Sequence, residues 1–273
     1  LILMADIQIK SDLIEQLIDI SIEAGDAILG IYNTNFDYQL KEDLSPLTKA
    51  DILSHNIIVN RLERLTPKLP ILSEEGADIP LSIRSDWKEY WLIDPLDGTK
   101  EFLKKNGEFT VNIALIKNHK PIFGIIHIPV TDETYWGSVN LGSFFLNNEQ
   151  QVKKINVSKN SRKPPTFLVS RSHRSENTNL ILDNFSDSKI VHKGSSVKFC
   201  LIASGEAEIY LRLGATSEWD TAAGEAIVRF AGGHIITTSR LPLTYNLKKN
   251  FLNPSFIVSH DKIMADKLIS LIK

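Results

Sequence analysis

Apolar residues recur at helical spacing from Ser11 onward, at Ile14, Leu17, Ile18, Ile22, Gly25, Ile28 and Leu29, which predicts a first helix with one inward face. Residues Asn33 to Ser45 are polar and patternless and Pro46 follows, which predicts a loop; the stretch from Asn33 to Pro46 either moves over a neighbouring site or is disordered, and the sequence leaves both readings open. A second helix is expected from about Asp51 to Leu65, stopped by Pro67, with Asp51 near its N-terminus. Tyr90 to Asp94 is a short aromatic and β-branched run that predicts a buried strand ended by Pro95. Alternation from Phe109 to Ile116, the turn Asn118-His119 and the run Pro121 to Ile128 predict an antiparallel hairpin, with further short strands near Tyr135 and Phe144.

The stretch Ser161 to Pro165 carries the best linker signal, so the chain divides into domains 1–163 and 164–273. Beyond it strands alternate with helices: strand Thr166 to Ser170, helix around Asn177, strand near Ile190, helix Ser195 to Ser204, strand Ala207 to Leu211. A helix from Asp220 to Ala231 is closed by Gly232-Gly233, and strands near Ile235 and Phe256 precede a C-terminal helix.

A chain of 273 residues, 42% hydrophobic and 23% charged, is long enough for one large or two small domains and excludes collagen, coiled coil and wholesale disorder. Thirty-one Lys plus Arg against 33 Asp plus Glu leave a net charge of −2, so no global field draws the chain onto nucleic acid. An anionic substrate has to be attracted locally. No apolar run approaches the ~20 residues of a transmembrane segment, and the opening Leu1-Ile2-Leu3-Met4 lacks the flank and length of a signal peptide. The single cysteine, Cys200, reads as a small buried apolar residue. These features place the chain in a reducing cytoplasm.

Neither G-x-x-x-x-G-K-[ST] nor G-x-G-x-x-G occurs, and there is no G-x-S-x-G elbow or His-x-x-x-His pair. What stands out is acidic: Ser73-Glu74-Glu75-Gly76, Asp94-Pro95-Leu96-Asp97-Gly98-Thr99 and Trp219-Asp220-Thr221-Ala222-Ala223-Gly224. Taken singly, these are a solvated turn, an Asx loop and a helix N-cap. Together they put carboxylates at the ends of apolar segments. Two carboxylates 4 Å apart repel by about 4 kcal/mol at an effective dielectric of 20, so such a cluster calls for a cation or a shared proton. Oxygen ligands without His or Cys favour Mg²⁺ or Mn²⁺ and point to a multi-metal phosphoryl site. The central segment also resembles the Asp-x-Asp-Gly-Thr signature of haloacid-dehalogenase-type phosphatases, but a three-residue separation does not put both carboxylates on one face of an extended strand.

In their order, Glu-Glu, Asp-Pro-Leu-Asp-Gly-Thr and Trp-Asp-Thr-Ala-Ala-Gly resemble the pattern of the inositol monophosphatase superfamily. The runs Tyr90 to Phe102, Asn106 to Leu115, Ser170 to His173, Gly194 to Cys200 and Leu252-Asn253-Pro254 look most like its bacterial 3′(2′),5′-bisphosphate nucleotidases. The resemblance implies an α+β fold, a layered α-β-α-β-α sandwich. It implies two or three Mg²⁺ ions, with Mn²⁺ able to substitute, held by Glu74, Asp94, Asp97, Asp220 and the carbonyl of Leu96, with Glu75 a further candidate. It assigns Asp51 and Thr99 to orienting and activating the attacking water. It places Gly98, Lys198, Arg212 and His173 with the substrate, a small bisphosphonucleotide whose 3′-phosphate is released to leave AMP. Peripheral attachment to the inner membrane face, implied for some relatives, has no visible anchor here. Two other readings stay open: an inositol or sugar monophosphatase using the same metals, and a non-catalytic nucleotide-sensing module on the same fold.

Overall fold

The computed structural model describes residues 9–35, 37–41, 46–160, 162–171 and 176–272. The elements run α1 (Ser11–Tyr32), β1 (Tyr38–Leu40), β2 (Pro46–Thr48), α2 (Lys49–Leu65), β3 (Ile71–Ser73), a 3₁₀ turn (Glu74–Gly76), α3 (Leu81–Arg84), β4 (Glu89–Asp97), α4 (Thr99–Leu103), β5 (Thr110–Lys117), β6 (Lys120–Ile128), β7 (Glu133–Ser138), β8 (Gly142–Leu146) and β9 (Val152–Ile155). They continue with β10 (Thr166–Ser170), α5 (Glu176–Asp183), β11 (Lys189–Lys193), α6 (Val197–Ala203), β12 (Ile209–Arg212), α7 (Glu218–Phe230), β13 (His234–Thr237), β14 (Phe256–Ser259) and α8 (Lys262–Ile269). Strands β3 to β9 form a seven-stranded sheet in chain order, antiparallel except for the parallel β3–β4 pair. A five-stranded sheet has the order β11-β10-β12-β14-β13. No helix among the described residues is long and apolar enough to cross a membrane.

Alternation along the strands builds the layers. Trp91 and Ile93 of β4, Val111, Ile113 and Leu115 of β5 and Phe123 and Ile125 of β6 face α1 and α2 in one core. Their neighbours Tyr90, Leu92, Ala114, Ile116, Ile126 and Ile128 face α6 and α7, and the same central core takes Leu168, Tyr210, Phe256 and Val258 from the five-stranded sheet. On that sheet's far side Phe167, Val169, Ile209, Leu211 and Ile257 meet residues of α5 and α8. Three apolar cores thus join five layers, the expected α-β-α-β-α sandwich.

Several expectations shift on inspection. The inward face of α1 is Ile14, Leu17, Ile20, Ser21, Ala24, Gly25 and Ile28, not the stripe through Ile18 and Ile22. The helix leans where its residues are small: a Cβ on Gly25 would lie 2.6 Å from the His127 ring. The loop expected at Asn33 to Ser45 contains a strand, because Tyr38 to Leu40 pair antiparallel with Thr48 to Pro46. Residues 36 and 42–45 of that stretch lie outside the described residues. Pro95 does not end its strand, since β4 runs on to Asp97 through a register shift between Asp94 and Asp97. A bulge leaves a residue without a ladder bond, which is where proline fits.

Candidate active site

That shift decides the geometry. With Asp94 opposite Asn112 and Asp97 opposite Thr110, two residues of β4 face one of β5. In a regular strand Asp94 and Asp97 would point to opposite faces; the extra residue turns both carboxylates to the same side. The amide of Leu96 donates to Asp94 Oδ1 at 3.1 Å, and Ser54 of α2 donates to the Pro95 carbonyl at 2.7 Å, which fixes the bulge from below. The chain then reverses at Gly98, whose φ of +93° disfavours a side chain and whose Cβ would meet the Glu108 carbonyl and the Ser195 side chain at 3.1 Å.

The third carboxylate comes from the other sheet's half of the chain. Ser217 caps α7, and Asp220, three residues on, accepts from the Ser217 amide at 2.9 Å. Asp220 is thus the acidic member of a capping box rather than the cap itself. Oxygens of Asp94, Asp97 and Asp220 lie within 4.8 Å of one another. Burial pushes all three carboxyls above the ordinary range, and for Asp94 and Asp220 neighbouring carboxylates add to it. Glu74, on the 3₁₀ turn after β3, is also raised by burial; Lys41 opposes this with a 2.8 Å ion pair. Glu75 meets the same ammonium at 2.6 Å.

Asp51 occupies the third position of α2 in a second capping box. Its Oδ2 accepts from the Thr48 amide and hydroxyl at 2.7 and 2.6 Å. Its Oδ1 faces the Thr99 hydroxyl at 3.4 Å. Burial raises this carboxyl, against the lowering effect of the Thr48 bonds.

A cleft of about 220 Å³ gathers Glu74, Asp94, Leu96, Asp97, Gly98, Thr99, Lys198, Arg212 and Asp220. Asp51 lies behind Thr99. Lys198 is buried, its Nζ donating to the carbonyls of Ser195 at 2.6 Å and Lys193 at 3.1 Å and sitting 5.1 Å above the Tyr210 ring. Burial pulls it down to about 8, against the pull of Asp97. Arg212 donates to the Ala215 carbonyl, and its buried Nε has no partner among the described residues. His173 lies outside the described residues. The expected helix start at Ser195-Ser196 falls instead at Val197.

Among the residues that touch this site and were not singled out in the sequence are Lys41, Asn112 and Ser196. Lys41 sat in the patternless loop, where no periodicity marks it. Asn112 was legible as a polar residue between the apolar Val111 and Ile113 of its strand, opposite Asp94. Ser196 carries no signal of its own, yet its hydroxyl reaches Asp97.

A family model described as the inositol monophosphatase family matches residues 10–273. The chain belongs to the inositol monophosphatase family. Within that family it is 43% identical over 250 residues, 90% of this chain and 99% of the relative, to the 3′(2′),5′-bisphosphate nucleotidase CysQ of Salmonella typhimurium. Identity and coverage are the same for CysQ of Escherichia coli K12. The crystal structure of CysQ from Bacteroides thetaiotaomicron, described as a bacterial member of the inositol monophosphatase family, superposes with a TM-score of 0.80 at 37% identity, covering 91% of this chain and 97% of that one.

Enzymes of the inositol monophosphatase family are metal-dependent, typically on Mg²⁺. The donor set fits such an ion: three mutually close carboxylates, without His or Cys, whose repulsion Lys198 and Arg212 oppose and a divalent cation would offset further.

Proposed function

We propose that this chain is a Mg²⁺-dependent phosphomonoesterase that removes the 3′-phosphate of 3′-phosphoadenosine 5′-phosphate, leaving AMP and phosphate. The observation that carries the reading is the 43% identity over 90% of the chain to relatives named 3′(2′),5′-bisphosphate nucleotidase. Asp94, Asp97, Asp220, Glu74 and the Leu96 carbonyl would hold two or three Mg²⁺ ions, with Mn²⁺ an effective substitute. Bound there, divalent cations supply an acidified water near neutral pH and offset charge on the attacking and leaving oxygens.

The chain's own residues do the rest. Thr99 Oγ1 lies 3.4 Å from both Asp51 Oδ1 and the Leu96 carbonyl. With Oδ2 of Asp51 committed to Thr48 and the Leu96 carbonyl assigned to the metal site, Oδ1 takes the Thr99 proton, and the Thr99 lone pair is left to accept from a water in the cleft. The water's oxygen bonds to phosphorus, the bond from phosphorus to the 3′-oxygen breaks, the attacking water's proton moves toward the Thr99–Asp51 pair, and the departing 3′-oxygen takes its proton from a second water of the cleft to become the 3′-hydroxyl of AMP. Asp51, held dry beneath Thr99, is raised by burial and so suited to keep that proton. The substrate's second phosphate needs cations away from the carboxylates. Lys198 and the Arg212 guanidinium, both lining the cleft, meet that need, and His173 is assigned beside them by resemblance. On this reading residues 1–163 supply the water-activating pair and most metal ligands, and residues 164–273 supply Asp220 and the nucleotide contacts.

Specificity constants for 3′-phosphoadenosine 5′-phosphate and inositol 1-phosphate, measured side by side on wild type and Arg212→Gln, test the reading. The bisphosphate is expected to be preferred, and Arg212→Gln to cost it roughly tenfold to a hundredfold, the loss of a charged hydrogen bond. Equal or better turnover of inositol phosphate, indifferent to Arg212, assigns the site to a sugar or inositol monophosphatase.

A further inference from the structure

One hydroxyl touches both halves of the acidic cluster. Ser196 Oγ lies 2.5 Å from Asp97 Oδ2 and 3.0 Å from the backbone carbonyl of Asp220, and it accepts from Asn112 Nδ2 at 2.8 Å. Asp97 belongs to the bulged end of β4, Asp220 to the first turn of α7 and Asn112 to β5. The side chain is buried at 1% exposure, and Asn112 likewise. A serine hydroxyl has one proton and two lone pairs. Asn112 occupies a lone pair, so the proton goes to Asp97 Oδ2, the nearer of the two acceptors. The contact is fixed from the backbone as well: Ser195 sits at a φ of +38°, and its Cβ packs where Gly98 lacks one. A non-glycine residue in that region costs energy that its surroundings must over-determine, a feature concentrated at functional sites.

We propose that Ser196 is a positioning residue for the cation site, holding the Asp97 carboxylate against the N-terminus of α7 so that Asp97 and Asp220 converge before any ion arrives. The inference rests on the proposed metal-dependent reading of the site. Without the hydroxyl, Asp97 keeps the Ser196 backbone amide, the attraction of Lys198 and the long 3.5 Å approach of Asn112, but loses its shortest contact, the one that also ties it to the Asp220 carbonyl, and so holds its place beside its like-charged neighbours less firmly. An incoming ion then has to gather the carboxylate itself. Partners that orient ligands typically contribute tenfold to a hundredfold in metal affinity.

The test is a Mg²⁺ titration followed by thermal unfolding, without substrate, for wild type, Ser196→Ala and Ser196→Cys, together with kcat and KM at saturating Mg²⁺. Half-saturating Mg²⁺ is expected to rise about tenfold or more in both variants, while unfolding in chelator moves by only a few degrees and KM for substrate stays within about twofold. Unchanged half-saturation in a folded variant overturns the proposal, as does failure of both variants to fold in chelator, which would make Ser196 a residue of the core. If wild type itself gains no stability from Mg²⁺, it is the metal-dependent reading that fails.

Discussion

The hydroxyl of Thr99 lies 3.4 Å from Asp51 Oδ1, and at the same distance from the Leu96 carbonyl, and so joins the first turn of α2 to the turn that follows the β4 bulge. The two side chains are linked as one unit, so their removal is not additive. Asp51→Asn is expected to lower kcat by about 10²–10⁴-fold, the usual worth of a positioned general base, and Thr99→Val to do much the same. The double variant is expected to be little worse than either single one. Turnover that falls by the product of the two losses would show that the residues act separately.

Packing under the site makes a second prediction. Helix α7 lies so close to the large sheet that a methyl on Gly124 would sit 2.4 Å from the Ala223 carbonyl oxygen and 2.7 Å from its Cα. Neither backbone atom can step aside without moving the helix that carries Asp220. Gly124→Ala is therefore expected to destabilise the fold by about 1–3 kcal/mol or more, read as a lower urea midpoint at unchanged m-value.

His127 of β6 is buried beneath α1 with Nδ1 2.9 Å from Thr134 Oγ1, and burial pulls its pKa down to about 4. In the unfolded chain imidazole titrates near 6.5, so as pH falls the unfolded state takes up this proton first. The stabilisation is complete above about 6.5 and is lost progressively as pH drops toward about 4. Between pH 7 and pH 5 the loss from this group is about 2 kcal/mol. Urea midpoints at the two pH values, for wild type and His127→Asn, are expected to differ in their pH dependence by that amount. Parallel behaviour of the two proteins would count against a buried neutral imidazole.

Much of the layering was legible because alternation and helical spacing are burial signals. Phe109 to Ile116 and Thr166 to Ser170 fall close to the strands Thr110–Lys117 and Thr166–Ser170. The short edge strands Ile71–Ser73 and Val152–Ile155 were not found, being too brief for a period to show. The carboxylates were legible as residue types and their clustering was expected, but the device that turns Asp94 and Asp97 to one side was not: a strict period of two separates them, and only the pairing partner β5 imposes the extra residue that reunites them. Lys41 and Ser196 escaped for a related reason, since each gains its meaning from a contact distant in the chain, with Glu74 in one case and Asp97 in the other.

Release of inorganic phosphate and AMP from 3′-phosphoadenosine 5′-phosphate, compared in millimolar Mg²⁺ and in chelator for wild type and Asp220→Asn, tests the central claim most directly. The account predicts turnover only with Mg²⁺ and a loss of at least about 10³-fold in a folded Asp220→Asn protein, on the order of the barrier that charge stabilisation at a phosphoryl centre removes. Comparable turnover in chelator, or near wild-type turnover without the Asp220 carboxylate, would contradict it.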